Sequence, residues 1–397
     1  MTLYRLIFTG SNLKEVLFNL HDVVLLITVY QCILFAVFMV TLKKGKKQSN
    51  ILLALFLLSY AAIPLDTLIN FGEAFRDWAI QFSPNIFYVF GTAYWLEAVF
   101  LLFYVRSMIY RDYRLSRTDW LYFLPFIAYV IWEILVYYSL DYTTKVEVLQ
   151  GYNVLKSPDY TRMLVLVRES FRMYCGVLCM IELARYQTQI RNELSNIEKV
   201  DLTWLKILVI GFLVIRADAI LVSVALISSA QFNFYIDYEF FGLASNYTVM
   251  FLISTLIFFS LAHSPLFNGI AFTEDDKSID KKPVDEELVL RIESYMDSNK
   301  PYLNCVLNLA QLATELSMPP RTLSNIINRH FSQNFFEFIN SYRVKESQRL
   351  LAQPEKQTES MLEIMEQAGF NSKATFNTFF KKKVGMTPSQ YKTRIAK

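Results

Sequence analysis

The chain has 397 residues, 54% of them apolar and 19% charged, where an ordinary soluble domain is about a quarter charged, which excludes a simple soluble globule. Its formal net charge of +3 is uneven: residues 281–397 hold 17 Lys and Arg against 12 Asp and Glu, and the remainder 22 against 24. The four cysteines, Cys32, Cys175, Cys179 and Cys305, lack framework spacing and histidine neighbours, which argues against a disulfide scaffold or a metal site; the 24 Tyr and 33 Phe read as bilayer interface and core packing, and no cofactor is assigned.

Seven apolar segments reach about twenty residues, enough for a helix to cross a roughly 30 Å hydrocarbon core. They are expected near Val23–Leu42, Ile51–Ile69, Ile86–Arg106, Trp120–Leu140, Met163–Tyr186, Leu205–Ser229 and Phe241–His263. Mixed charge precedes the first run and no small-residue cleavage pattern follows it, so it is expected to stay as an anchor. Lys43, Lys44, Lys46 and Lys47 follow segment one, Arg111, Arg114 and Arg117 follow segment three, and Arg191 and Lys199 follow segment five. The alternate loops are poor in cations, so the basic loops are assigned to the cytoplasm, the N-terminus to the outside and the C-terminal part to the cytoplasm.

Ionisable residues fall inside these segments: Asp66, Glu97, Glu133, Arg168, Glu169, Arg172, Arg216 and Asp218. Each costs about 2.5–3.5 kcal/mol at mid-membrane on insertion scales, so they are expected to face the bundle interior and pair. Arg168 and Arg172, four apart, share one helix face. The set reads either as an ion-pair network that fixes helix packing or as a sensing site where an arginine holds an anionic ligand. Cys175 and Cys179, also four apart, read as small packing residues. The longest outer loop runs from Asp141 to Arg162. No G-x-S-x-G, H-E-x-x-H or Walker loop occurs and there are three histidines, so no catalytic residue is assigned and the chain reads as a binding protein, not an enzyme.

Apolar density collapses after His263, and Pro, Gly and charges mark a linker over 264–284. A helix is expected over Asp285–Lys300, with Leu288, Leu290, Ile292, Tyr295 and Met296 inward. Asn308 can cap a helix carrying Leu309, Leu312, Ala313 and Leu316; a break follows at Ser317–Pro319, and Pro320 opens a second helix. With Leu323, Ile326 and Ile327 inward, Arg321, Ser324, Asn325 and Asn328 share a polar face beside Thr322. Arg and Asn suit guanine and adenine edges in the major groove. A long helix, Asn334–Gln353, leads to a second such unit. There Ser360 and Glu363 form a capping box, Gly369 and Phe370 make the turn, and the next helix buries Phe376, Phe379 and Phe380. Its opposite face carries Lys373, Asn377, Thr378 and Lys381, with Thr375 on the same helix, and Lys381–Lys383 suit phosphates.

The order Gly369-Phe370, Phe376 to Lys381, and Gly-Met-Thr-Pro-Ser-Gln-Tyr from Gly385 to Tyr391 resembles the AraC/XylS family of bacterial transcription regulators over about the last 110 residues. The resemblance implies two helix-turn-helix units joined by a long helix, placing two recognition helices in successive major-groove faces. Pro319, Met365 and Thr378 depart from the family pattern, standing where a capping Ser, a small Ala and a basic residue are usual.

The expected fold is all-α: a seven-helix transmembrane bundle, residues 1–263, then the linker and a cytoplasmic AraC-type domain, residues 285–397. The expected function is a one-component regulator in the bacterial cytoplasmic membrane, reading double-stranded promoter DNA under control of a signal ligand sensed by the bundle, with RNA polymerase as a partner and a homodimer as a candidate assembly. Two rival readings are a transporter or intramembrane enzyme with a regulatory DNA-binding tail, and a passive anchor that frees the regulator by proteolysis.

Overall fold

The computed structural model describes residues 20–41, 46–110, 112–151, 158–197, 202–232, 244, 246–255, 257, 285–356 and 358–395. The described residues are helical, with no strand beyond one isolated bridge between Leu194 and Asn308. Backbone contacts divide the chain into two units, Met1–Leu183 with Leu202–Phe272, and Ala184–Asp201 with Thr273–Lys397.

In the first unit, five helical stretches are long and apolar enough to cross a membrane: Leu20–Thr41, Lys47–Phe71, Pro84–Ile109, Arg117–Tyr138 and Thr203–Ser229. They overlie five of the seven expected segments. The fifth expected segment lies in one unbroken helix, Pro158–Glu193, whose charged residues dilute its apolar character. Of the seventh, residues 246–255 are helical, while its ends and the linker 264–284 lie outside the described residues. Helix α1 (Leu20–Thr41) packs on α2 (Lys47–Phe71), which packs in turn on α4 (Glu97–Ile109). Lys46 donates to the carbonyls of Ser107 at 3.1 Å and Tyr110 at 2.7 Å, satisfying acceptors at the C-terminal end of α4.

Two short helices lie between the spans. Helix α3 (Glu73–Phe82) exposes Trp78 and Phe82, stacked 5.2 Å apart; Trp is the kind of amphipathic ring enriched at a membrane–water boundary. A helix over Tyr142–Leu149, capped by Asp141, occupies part of the expected outer loop. Arg76 binds the carbonyls of Asn70 and Leu149, and Lys145 reaches Asn85 Oδ1 and the Tyr138 carbonyl. These cations tie the short helices over a small core of Ile69, Ala79, Phe87, Tyr137 and Leu149.

The second unit opens with helix Glu286–Asn299. Its inward residues are Val289, Ile292 and Met296, while Leu290 is 66% exposed, so the expectation for Leu290 is corrected. Residues 289, 292 and 296 follow the 3.6-residue period, and position 290 is rotated off that stripe. Helices Leu309–Glu315 and Pro320–Arg329 form the first helix-turn-helix, Phe335–Leu351 is the connecting helix, and Met361–Gln367 and Lys373–Val384 form the second, closed by Pro388–Ile395. Each helix pair buries its own cluster. One gathers Leu312, Leu323, Ile326, Ile327 and Phe338, and the other Ile364, Met365, Phe376, Phe379 and Phe380. The connecting helix contributes to both.

Candidate DNA-reading surface and intramembrane charge cluster

The first recognition helix, Pro320–Arg329, is held by Leu323, Ile326 and Ile327, all at or below 4% exposure. Arg321 and Asn328 are exposed and Thr322, Ser324 and Asn325 partly so. Asn328 Nδ2 donates to Ser324 Oγ at 3.3 Å, which aligns two polar side chains along one ridge. The preceding helix carries a capping box between Asn308 and Gln311. Ser317, at φ +52°, makes the turn. Pro319 caps the recognition helix without a side-chain hydrogen bond.

The second recognition helix buries Phe376, Phe379 and Phe380 and exposes Lys373, Asn377, Thr378, Lys381, Lys382 and Lys383, with Thr375 partly buried. Ser372 caps it by accepting from the Thr375 amide at 3.2 Å. The sequence reading missed this cap, although Ser three residues before Thr375 is a start signal. The Ser360–Glu363 capping box forms. Lys382 is paired with Glu337 of the connecting helix at 3.1 Å, so a phosphate at this position has to replace a half-buried carboxylate.

Gly369 makes the turn between these helices at φ +85°, and a Cβ there would lie 2.4 Å from the Tyr302 carbonyl oxygen and 2.8 Å from Leu303 Cα. The position thus needs glycine both for its left-handed backbone and for close approach to the segment before the first helix-turn-helix. A family model described as a helix-turn-helix domain matches residues 312–394, spanning both pairs. The chain carries an AraC-type helix-turn-helix domain. No curated protein and no solved structure matches the chain. In this AraC-type domain the polar faces named from sequence are on the solvent side of both recognition helices, the geometry a major-groove reader requires.

In the first unit, Glu169 is a hub. Arg172 Nη1 donates to both its oxygens at 2.7 and 2.9 Å, Arg216 Nη1 to Oε2 at 2.9 Å, and Arg168 Nε to Oε1 at 3.1 Å. Arg172 also donates to Glu97 through Nε at 2.7 Å and through Nη2. Glu97, Glu169, Arg172 and Arg216 are each no more than 4% exposed. The Arg168 guanidinium lies 3.9 Å from the centre of the Tyr94 ring, where the ring face attracts a cation. Among the described residues, Glu97 Oε2 and Arg216 Nε are buried without a hydrogen-bond partner.

Asp66 accepts from Asn70 at 3.1 Å, and Glu133 is buried. Asp218 is exposed, because two residues along a helix turn it about 200° away from Arg216. A second polar set escaped the sequence reading: Arg106 pairs with Asp119 at 2.8 Å and Glu182 at 3.4 Å, and Tyr110 donates to Glu182 at 3.0 Å. Glu182 stands three turns beyond Arg172 on the same helix, so its presence within an apolar segment was a readable signal. Among the described residues no group of three or more His, Cys, Asp or Glu could hold a metal ion.

Proposed function

We propose that the chain is a membrane-bound one-component transcription regulator, with residues 1–263 as sensor, 264–284 as linker and 285–397 as DNA reader. The observation that carries this reading is the union, on one polypeptide, of apolar helices of membrane-spanning length with two helix-turn-helix pairs whose polar recognition faces are exposed. Arg321, Thr322, Ser324, Asn325 and Asn328 contact one stretch of major groove, and Lys373, Thr375, Asn377 and Thr378 the next. Lys381 and Lys382 take backbone phosphates. The DNA reader lies in the cytoplasm, the N-terminus outside, and the membrane is the bacterial cytoplasmic membrane, as the basic loops indicate. RNA polymerase at the regulated promoter and a second copy of the chain are the expected protein partners.

The signal is sensed by the bundle. Glu97 Oε2 and Arg216 Nε, buried and unfilled, support this role, since a polar ligand or a proton gained there would redistribute the hydrogen bonds around Glu169. The test is a genome-wide map of DNA crosslinked to the full-length protein in its native cells, with membrane and soluble fractions processed separately. Discrete sites in the membrane fraction are expected. Sites confined to the soluble fraction would replace this reading with proteolytic release, and no sites in either fraction would refute DNA reading under the growth condition tested.

A further inference from the structure

The second unit contains a piece of chain from far upstream. Residues Leu194–Ile197 follow directly on helix Pro158–Glu193 and belong, by their contacts, with the AraC-type domain. Leu194 forms an antiparallel bridge with Asn308, the residue that caps the first helix-turn-helix. The Ser195 amide donates to the Leu307 carbonyl at 3.3 Å and its hydroxyl donates to the same oxygen at 2.5 Å. Ile197 packs against the apolar cluster beneath the second helix-turn-helix. Four consecutive residues therefore touch both DNA-reading pairs.

Their principal anchor is Arg343, on the connecting helix and 2% exposed. Its Nε donates to the Tyr302 carbonyl at 2.7 Å and its Nη2 to the Asn304 carbonyl at 2.9 Å. Ser195 supplies two further acceptors, its carbonyl to Nη1 at 3.1 Å and its Oγ to Nη2 at 3.2 Å, and Asn340 Oδ1 completes the set at 3.2 Å. Among the described residues no carboxylate lies within ion-pair distance of this guanidinium. Burial pushes its pKa down to about 10, so at neutral pH it remains a cation held by carbonyl and hydroxyl dipoles. A buried cation satisfied in this way is sensitive to the loss of any one acceptor. The guanidinium also lies 5.9 Å from the Phe370 ring, in the turn of the second pair.

We infer that Leu194–Ile197 is a docking strap that holds the two helix-turn-helix pairs in their DNA-reading arrangement, and that release of Ser195 from Arg343 and Leu307 is the step through which the membrane part controls DNA binding. The strap binds the interior of the domain and leaves both recognition faces exposed, so docking favours DNA binding instead of blocking it. The helix that ends at Glu193 also carries Arg168, Glu169 and Arg172, which places the charge cluster and the strap on one continuous element. This inference rests on the regulator reading above.

Linkage makes it testable in both directions: if docking strengthens DNA binding, DNA must strengthen docking by the same factor. Full-length protein in nanodiscs of phosphatidylethanolamine and phosphatidylglycerol is used to select its DNA site from a random pool. Ser195→Trp, which cannot be accommodated at a position 1% exposed, is expected to weaken binding to that site at least ten-fold. In a Ser195→Cys/Cys305→Ser protein, saturation with the selected site is expected to slow maleimide labelling of the introduced thiol at least ten-fold relative to a scrambled duplex. Unchanged affinity in Ser195→Trp overturns the proposal. So does lost affinity combined with labelling indifferent to DNA, which would give the strap a structural role alone. A wild-type protein that enriches no sequence is a different failure, refuting the regulator reading itself.

Discussion

Replacing Glu169 with Gln probes the buried charge cluster at its hub. Glu97 and Glu169 balance Arg172 and Arg216, four groups nearly sealed from their surroundings. Gln preserves the shape and removes one negative charge. Arg172 keeps Glu97, but the pairing of Arg216 Nη1 is lost and its Nε has no partner to begin with. The desolvation cost of the arginines stays in the folded state while the attraction that offset it is gone, so destabilisation of about 3–5 kcal/mol is expected. An exposed ion pair would give about 0–1 kcal/mol, and the two cases are well separated. Equilibrium unfolding of the full-length protein in mixed micelles measures the difference. Adding Arg216→Met removes the orphaned cation, and the double variant should regain more than half of the loss. A Glu169→Gln protein within about 1 kcal/mol of wild type, or a double variant whose losses simply add, would refute the claim that these buried charges act as one mutually paired unit.

Arg321→Ala should weaken specific DNA binding by about 1–3 kcal/mol if its guanidinium reads a base; unchanged discrimination between the selected site and random DNA would remove that role. Lys382→Ala should lower the slope of log affinity against log salt by about one while leaving sequence preference intact, as titration at several salt concentrations will show. Gly369→Ala forces a Cβ into the Tyr302 carbonyl at a left-handed backbone position and should destabilise the AraC-type domain by at least about 1–3 kcal/mol, read by thermal unfolding. The Glu346 carboxylate is held below its usual range by hydrogen bonds from Arg349 and Lys300. Its folded pKa being the lower one, the stability it contributes is present above about pH 4.5 and is lost as the pH falls through the folded value. Glu346→Gln should therefore flatten the acid limb of an unfolding-versus-pH curve.

Local chemistry made much of this architecture legible. Asn308, Ser360 and Pro320 sit at helix starts because each satisfies, or has no need of, an amide that the first turn leaves orphaned, and all three were readable without tertiary information. The stripes Leu323, Ile326, Ile327 and Phe376, Phe379, Phe380 have helical period, so the opposite polar faces followed directly. Where inward and outward faces are less distinct, the reading fails: Leu290 and Val289 are both apolar, and packing beneath Ile292 and Met296 selects Val289. In the bundle, length and hydropathy announce the spans, and burial cost announces that Arg172 and Glu169 must be paired. The partner of each arginine does not follow, because Glu97 lies 75 residues from Arg172 and no period connects them. Asp218 shows the limit from the other side. Its charge satisfies the same burial argument as Arg216, yet helix rotation places it on an exposed face.

The strap marks the deepest gap between sequence and structure. Leu194, Ser195 and Ile197 have no distinctive spacing, and within a basic loop between two spans they read as connector. Arg343 is equally silent, since an arginine in a long amphipathic helix is normally solvated. Their significance is mutual: Ser195 has a buried role because no carboxylate among the described residues pairs with Arg343, and Arg343 tolerates burial because Ser195, Tyr302 and Asn304 present oxygens to it. A charge satisfied by backbone leaves no trace in residue type at the accepting positions, so sequence chemistry names the cation and not its partners. The same property suits it to control. Carbonyl acceptors on two separate segments, Ser195 and Tyr302–Asn304, hold the guanidinium only while both keep their places, and of these the Ser195 segment is continuous with the helix that carries Glu169 and Arg172. Displacing that one segment costs the domain two of the five hydrogen bonds to Arg343 and the packing of Ile197 on the second cluster, while the buried residues of both apolar cores stay together, a change large enough to shift an equilibrium and small enough to reverse.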